Sequence, residues 1–171
     1  MNKTVWAGRF IEAHVDGPWE YVGRVGGITA AVILAIDDGH VLLVEQYRVP
    51  LGRNCIELPA GLVGDEQADE SIAASALREL EEETGYRAES AEVLGEFAAS
   101  PGMSSETFHL VRVNGLTRVS DGGGVDDEDI IVHRVPLNRM AQFIQAQRDK
   151  GRAMDVKLLA VLPFVLQPAA G

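Results

Sequence analysis

A glutamate-rich segment in the middle of the chain constrains the fold most, because its helical periodicity places a carboxylate on the buried face of a helix. The apolar positions that share this face are Ile72, Ala73, Ala76, Leu77 and Leu80. Glu83 falls about 20° from Ile72, inside the apolar arc. Glu79 and Glu82 lie beside it, three and four residues apart along one stripe. A solvated acidic face explains Glu81, on the opposite side of the helix, but it does not explain Glu83.

Three glutamates on one stripe repel one another, and a divalent cation relieves both this repulsion and the cost of burial. Ligands that are all oxygen select a hard ion, so we expect Mg²⁺, with Mn²⁺ as the alternative. The predicted ligands are Glu79, Glu82 and Glu83. Ala60 follows a short predicted strand at the start of a glycine-containing loop, and we expect its backbone carbonyl to point at the same ion.

Two motifs resemble those of a known family of hydrolases. The spacing Gly64-x5-Glu70-x7-Arg78-Glu79-Leu80-x-Glu82-Glu83-x-Gly85-Tyr86 resembles the Nudix box. The preceding stretch, Glu57-Leu58-Pro59-Ala60-Gly61, resembles the lead-in of the ADP-ribose pyrophosphatase branch. In typical members the glycine of this lead-in is also the first glycine of the box, whereas here Gly64 keeps the spacing and Gly61 lies three residues earlier. We therefore predict a loop insertion at Gly64-Asp65-Glu66, and both glycines remain candidates for the structural position.

The resemblance implies metal-dependent hydrolysis of a phosphoanhydride. The substrate that we expect first is ADP-ribose, which would be cleaved to AMP and ribose 5-phosphate. GDP-mannose, another nucleotide sugar or a dinucleotide are the alternatives. A non-catalytic module that senses nucleotide sugars is the competing class of function. Because degenerate regulatory members commonly lose the helix glutamates and this chain keeps all three, we favour the enzyme.

Catalytic roles follow from the same resemblance. A triple glycine, residues 122–124, predicts a mobile loop tip, and four consecutive acids follow Val125. Such an acidic loop is usually only solvated. In this branch it supplies a glutamate that acts as the catalytic base or contacts the metal, which implies Glu128 here, with Asp126 as the second candidate. Arg78 lies one turn before Glu82, and we expect it to orient that glutamate through a charge-assisted bond.

Substrate contacts are also implied by resemblance. Val44-Glu45-Gln46-Tyr47-Arg48 resembles a strand of this branch. Pro101, in the stretch from Ser100 to Glu106, matches the proline that members of this branch carry after the box. The substrate-binding residues implied are Arg48, Arg24, Trp19, Glu57 and Glu106. An arginine on a strand edge is equally often a surface residue, and Trp19 suits a buried or dimer-interface position as well as it suits stacking on a base.

Period-two patterns predict strands through most of the first third of the chain. They cover residues 4–14, 19–25, 29–36 and 41–45, and Asp37-Asp38-Gly39-His40 predicts a hairpin turn. The continuous apolar run from Ala30 to Ile36 predicts a strand covered on both faces. Beyond the glutamate-rich helix, further strands are predicted at residues 91–98, 107–113 and 130–135.

Two helices are predicted near the C-terminus, at residues 137–150 and, capped by Asp155, through Val165. A mixed β-sheet between helices follows, so the fold class is α/β, a Nudix-type α/β/α sandwich with an N-terminal antiparallel β meander. The length of 171 residues indicates a single domain, residues 1–171. Members of this branch are usually homodimers, and the aromatic-rich residues 1–25 are the expected dimerisation element.

Charge and composition restrict the partners. A net charge of −11 disfavours nucleic acid, because binding a polyanion requires lysine and arginine to neutralise phosphates. The first nine residues carry no apolar signal core and no run reaches the length of a membrane span, so we expect a cytoplasmic protein with no membrane partner. The single cysteine, Cys55, is expected to be a buried apolar residue.

Overall fold

Strands dominate the first half of the chain in the computed structural model, which describes residues 2–64, 70–125 and 128–165. The strands are β1 Lys3–Ala7, β2 Ile11–Asp16, β3 Trp19–Arg24, β4 Ala30–Asp37, β5 His40–Arg48, β6 Arg53–Glu57, β7 Ala60–Leu62, β8 Tyr86–Arg87, β9 Ser90–Ala98, β10 Thr107–Asn114, β11 Thr117–Arg118, β12 Ile131–Pro136 and β13 Ala153–Met154. The α-helices are α1 Ile72–Thr84, α2 Met140–Asp149 and α3 Leu162–Val165.

The main sheet is mixed and divides next to the β4–β5 hairpin. Its strand order is β13-β6-β5-β4-β10-β9, with β12 also paired to β5 and β7 also paired to β4. The β4–β10 and β6–β13 pairs are parallel, and the other pairs are antiparallel. β4 pairs with β5 at Ile36 and Asp37, and at its other end it pairs with β7 through Ala30 to Val32. This change of partner separates β5 and β6 from β7 and leaves room for a cleft between them.

Strand β4 is covered on both faces, as its continuous apolar run predicts. Ala31, Ile33 and Ala35 pack in one core with residues of α1, including Leu80. Val32 and Leu34 belong to a second core, which contains Met140 of α2 and the C-terminal residues Leu158 and Val161. Because successive strand residues point to opposite faces, one apolar strand binds both helical layers to the sheet. The predicted α/β/α sandwich is therefore confirmed.

Helix α1 has clear boundaries at both ends. Ser71 is the N-cap, and its hydroxyl accepts a hydrogen bond from the backbone N–H of Ala74 at 3.2 Å. Gly85 ends the helix at a φ of +73°, and its N–H donates to the carbonyl oxygen of Glu81. A Cβ at Gly85 would lie 2.4 Å from the carbonyl oxygen of Ser120, so glycine is required both for its conformation and for this close approach.

Two terminal segments differ in detail from the prediction. The extended segment 4–14 is broken by a turn in which the N–H of Gly8 donates to the carbonyl oxygen of Ile11, which produces two strands. Asp155 does cap the last helical segment, but Val156–Val161 is a 3₁₀-helix and only α3 is α-helical. Pro163 explains the break, because it has no N–H for an α-helical bond to Leu159. The short strands β7, β8, β11 and β13 were not predicted, and β7 begins at Ala60, where a loop was expected.

The N-terminal strands form a separate antiparallel sheet in the order β1-β2-β3, which confirms the predicted meander. Two backbone hydrogen bonds of about 2.9 Å join Val22 to Met103 and Ser105, in the loop before β10. The sheet exposes several large apolar side chains, including those of Trp6, Phe10 and Trp19. Among the described residues, no helix combines the length and the apolar character that a membrane span requires.

Candidate active site

A cleft of about 760 Å³ lies where β7 and β5 diverge, between helix α1 and the C-terminal 3₁₀-helix. Eight of the predicted site residues line it, namely Arg24, Arg48, Glu57, Ala60, Glu79, Glu83, Glu106 and Glu128. Arg78 and Glu82 do not line it; Arg78 bonds both to Glu79, which does, and to Glu82. Trp19 does not line it and is 62% exposed on β3. Asp126 lies outside the described residues.

Glu83 is a buried carboxylate in the wall of the cleft. The residue is 4% exposed, as its position on the helix predicts, and its Oε2 accepts a hydrogen bond from the N–H of Ala60 at 3.0 Å. Burial raises the pKa of Glu83 to about 8, and the nearby carboxylates of Glu79 and Glu128 contribute to the increase. The hydrogen bond from Ala60 and the charge of Arg48 oppose this shift without cancelling it. An ionised Glu83 is therefore costly unless a cation binds beside it.

Arg78 bonds to two other carboxylates of helix α1, those of Glu79 and Glu82. Its Nη1 lies 3.0 Å from Glu79 Oε1 and 2.9 Å from Glu82 Oε2, so the predicted contact with Glu82 is present. Its Nε and Nη2 each donate to Glu70 at 3.2 Å, and this bonding, with the neighbouring negative charges, raises the pKa of Arg78. One guanidinium is thus shared by three carboxylates.

Gly61 makes room for the carboxylate of Glu79. A Cβ at this position would lie 1.9 Å from Glu79 Cδ, so any other residue would displace the glutamate. Gly64 occupies a turn after β7 at a φ of +82°. Gly61 is therefore packed against the acidic helix.

The nine acidic and basic side chains that line the described part of the cleft divide into three ion pairs and three further carboxylates. In the first pair, Arg48 Nε and Nη2 donate to the two oxygens of Glu57 at 2.6 and 2.8 Å. In the second, Arg24 Nε donates to Glu106 Oε1 at 2.5 Å. The sequence named all four of these residues as substrate contacts, but it did not predict that each glutamate would hold an arginine.

The third ion pair was not predicted from the sequence. Lys157 Nζ bonds to Asp155 Oδ2, and the ammonium lies 5.8 Å from the centre of the Phe108 ring. The sequence identified Asp155 only as a helix cap, a role that it also has, because its Oδ1 accepts from the N–H of Lys157 at 2.6 Å. No local pattern distinguishes such a cap from a residue of the cleft, because the fold alone brings this segment opposite Phe108.

The glycine loop that leads to Glu128 is attached to the end of α1. The N–H of Gly123 donates to the carbonyl oxygen of Glu83 at 2.9 Å, and that of Gly124 donates to the carbonyl oxygen of Glu82 at 3.1 Å. These glycines, expected at a mobile loop tip, instead dock on the helix that carries the carboxylates. Glu128 follows in the cleft, where its Oε2 accepts from the N–H of Val125 at 3.2 Å.

The remaining carboxylates of the cleft fit a hard divalent cation. Glu79, Glu83 and Glu128 offer only oxygen donors, and the three ion pairs leave their negative charge in excess. In the described part of the chain, no three acidic, histidine or cysteine side chains are already close enough to hold an ion. Arg78 bonds to Glu79 and Glu82 instead. Contact of the Ala60 carbonyl with a metal stays a prediction.

Comparison with known proteins identifies relatives over most of the chain. A methanol dehydrogenase activator of Bacillus methanolicus is 34% identical over 157 residues, which cover 86% of this chain and 82% of that protein. An ADP-ribose pyrophosphatase of Bacillus subtilis is 29% identical over 85% of this chain and 82% of its own length. A mouse ADP-sugar pyrophosphatase is 49% identical over 130 residues, 70% of this chain and 56% of that protein.

The fold is also found in a solved structure, described as an ADP compounds hydrolase. It superposes with a TM-score of 0.70 at 23% sequence identity and covers 97% of this chain and 91% of the other. The family model of the NUDIX domain matches residues 27–155, a segment that contains helix α1, both motifs of the lead-in and box, and most residues of the cleft. This match, together with the 34% identity to the activator, shows that the chain belongs to the NUDIX family of hydrolases.

Proposed function

We propose that this protein hydrolyses the diphosphate of ADP-ribose, with Mg²⁺, to AMP and ribose 5-phosphate. The proposal rests on the observation that Glu79, Glu83 and Arg48 line the same cleft. Carboxylates suited to a hard cation thereby lie beside a guanidinium suited to a phosphate. The names of two relatives, an ADP-ribose pyrophosphatase and an ADP-sugar pyrophosphatase, support the same substrate class.

The helix carboxylates Glu79, Glu82 and Glu83, with the carbonyl of Ala60, would hold the Mg²⁺, and Mn²⁺ should substitute for it. When bound, the ion neutralises the diphosphate and lowers the pKa of the attacking water. Arg78 acts as a positioning residue, because it contacts Glu79 and Glu82 and does not line the cleft. A bound cation would favour the ionised form of Glu83 and offset the cost of a buried charge.

Arg48 binds a phosphate oxygen of the substrate in this proposal. Its Nε and Nη2 are fixed by Glu57, and its Nη1 remains to donate into the cleft. Arg24, fixed by Glu106 across the cleft wall, makes the second phosphate contact. The two glutamates therefore act through the arginines, which they align for the diphosphate, rather than by direct contact with it.

Glu128 serves as the general base. Water attacks one phosphorus of the diphosphate, its proton passes to Glu128, and the bond from that phosphorus to the bridging oxygen breaks. The hydrogen bonds from Gly123 and Gly124 to α1 set the distance between this loop and the metal ligands. Asp126 is the alternative base. Because positioning and charge stabilisation drive phosphoryl transfer, no covalent nucleophile is required.

We propose a cytoplasmic homodimer of one domain per chain. The sheet β1–β3 exposes Trp6, Phe10 and Trp19, and a second copy of the chain provides the apolar surface that would cover them. Such a dimer would bring Trp19 towards the partner's cleft, which gives this residue a route to the substrate. The location in the cytoplasm is supported by the single cysteine, which has no partner within the chain for a disulfide.

A substrate panel tests the proposal. ADP-ribose, ADP-glucose, GDP-mannose and a diadenosine polyphosphate are incubated with the protein and either Mg²⁺, Mn²⁺ or EDTA, and the products are separated by chromatography. The expected result is release of AMP and ribose 5-phosphate from ADP-ribose with Mg²⁺ and none with EDTA. Preference for another member of the panel would reassign the substrate. Binding of nucleotide sugars with no turnover by the folded protein would instead support the sensing module.

A further inference from the structure

The ion pair between Lys157 and Asp155 lines the cleft but has no part in the proposed hydrolysis. Lys157 is held from two sides, by the carboxylate of Asp155 and by the ring of Phe108, 5.8 Å from the ammonium. Phe108 is supported in turn by Phe97, with the ring centres 5.8 Å apart and the planes inclined by 23°. The lysine side chain is only 19% exposed, which is unusual for this residue type. The ammonium thus has a fixed position on the cleft wall.

Arg48 connects this pair to the acidic helix, because its bond to Glu57 and the charge of Glu83 both raise the pKa of Arg48. The N–H of Asp155 donates to the carbonyl oxygen of Ile56 at 3.0 Å, which places it beside the residue that holds Arg48, Glu57. Both acids act on Cys55: burial raises the pKa of its thiol to about 12, and the charges of Glu57 and Asp155 add to the increase. A substrate with its reacting phosphate at the acidic helix and its other phosphate at Arg48 would therefore extend to Lys157.

The pair offers both donors and acceptors, as hydroxyl groups require. Lys157 also differs from Arg48 and Arg24, because an ammonium lacks the planar fork of donors with which a guanidinium matches a phosphate. The ammonium carries three N–H donors, of which Asp155 Oδ2 takes one. The carboxylate beside it offers acceptors. Vicinal hydroxyls of a sugar both accept and donate hydrogen bonds, and they match this combination.

We propose that Lys157, positioned by Asp155 and Phe108, binds the ribose hydroxyls of the substrate; this inference rests on the proposed function and adds a sugar-binding subsite to it. ADP-ribose contains two riboses, one in each product. Either could supply the hydroxyls, and the products separate the two sources. Ribose 5-phosphate represents the terminal sugar, and AMP represents the adenosine.

The test replaces Lys157 by methionine, which keeps the length of the side chain and removes its donors. Lys150→Met is the matched control, since Lys150 follows α2 and does not line the cleft. Lys157→Arg, which retains charge and donors, tests rescue. Turnover of ADP-ribose and inhibition by ribose 5-phosphate, 2-deoxyribose 5-phosphate, AMP and 2′-deoxy-AMP are measured with Mg²⁺ for each protein.

We expect Lys157→Met to raise KM for ADP-ribose about 10-fold while kcat changes less than about 3-fold, as for loss of a hydrogen bond to a charged group. One product should lose affinity by a similar factor, and Lys157→Met should no longer distinguish that product from its deoxy form as the wild type does. Lys157→Arg should restore part of the affinity, and Lys150→Met should behave as wild type.

Three results would overturn the subsite: unchanged KM, equal loss of affinity for both products, or discrimination against the deoxy form that survives in Lys157→Met. Each of them requires an active wild type, so they are distinct from failure of the proposed function, in which the wild type itself leaves ADP-ribose intact. If Lys157→Met does not fold, Lys157→Ala takes its place in the same measurements: loss of discrimination supports the subsite, and discrimination that survives overturns it.

Discussion

In the metal-free protein, the free energy of unfolding should fall as pH rises, and Glu83 should cause much of the fall. Its pKa is about 8 in the folded chain, against a reference value of 4.5 for the unfolded chain. Between these values the unfolded state has released a proton that the folded state still binds, so stability decreases with pH. Below pH 4.5 both states are protonated, and above pH 8 both are ionised, so the dependence is confined to this interval.

The size of this effect follows from the displacement of the pKa. A change from 4.5 to about 8 corresponds to a ceiling of roughly 5 kcal/mol. Relaxation around an ionised buried carboxylate, and entry of water, reduce such penalties, so we expect about 2 kcal/mol between pH 5.5 and 8.5. Replacement of Glu83 by glutamine should abolish this part of the pH dependence, because the amide does not ionise and its oxygen can still accept from Ala60.

Urea unfolding in EDTA at pH 5.5 and 8.5 measures the effect in wild type, Glu83→Gln and Glu81→Gln. Glu81 is a matched control on the same helix, since it lies on the exposed side and bonds to Arg87 at 2.8 and 2.9 Å. Wild type and Glu81→Gln should lose similar stability as pH rises, and Glu83→Gln should lose about 2 kcal/mol less. Parallel behaviour of wild type and Glu83→Gln would refute the reasoning, because some other group would then carry the dependence.

Three further changes test separate parts of the site. Glu128→Gln should lower kcat by about 10- to 10⁴-fold with a much smaller effect on KM, and an unchanged kcat in steady-state assays would mean that the base lies elsewhere. Gly61→Ala should reduce turnover, because its Cβ would displace the Glu79 carboxylate, whereas Gly102→Ala, which has open space around it, should not; equal kinetics in the two would contradict the contact. Deletion of residues 1–25 should produce a monomer, as measured by light scattering, that no longer hydrolyses ADP-ribose. A folded monomer with full activity would show that the cleft needs no residue from a partner chain.

The features that sequence predicted well are those that repeat over short distances. The helical period of α1 predicted both its apolar face and the burial of Glu83, because both depend on one helix packing on one sheet. The apolar run of β4 predicted a strand covered on both faces for the same reason. The resemblance to the family supplied the chemistry, and it named seven of the nine acidic and basic side chains that line the described part of the cleft.

The features that sequence did not predict depend on contacts between distant segments. The glycine loop docks on the carbonyls of Glu82 and Glu83, about forty residues earlier, and no local pattern encodes that meeting. The pair of Lys157 and Asp155 enters the cleft only because its 3₁₀-helix crosses to Phe108 on another strand. The exchange of partners by β4 that opens the cleft is likewise a property of the whole sheet.

Hydrolysis of ADP-ribose by wild type, Glu83→Gln and Glu81→Gln across a titration of Mg²⁺ tests the central claim most directly. The claim is that helix α1 supplies the carboxylates that hold the catalytic cation. It predicts Mg²⁺-dependent release of AMP and ribose 5-phosphate by wild type and Glu81→Gln, and a loss of at least about 100-fold in Glu83→Gln that added Mg²⁺ only partly restores. Wild-type turnover by folded Glu83→Gln at every Mg²⁺ concentration would contradict the claim.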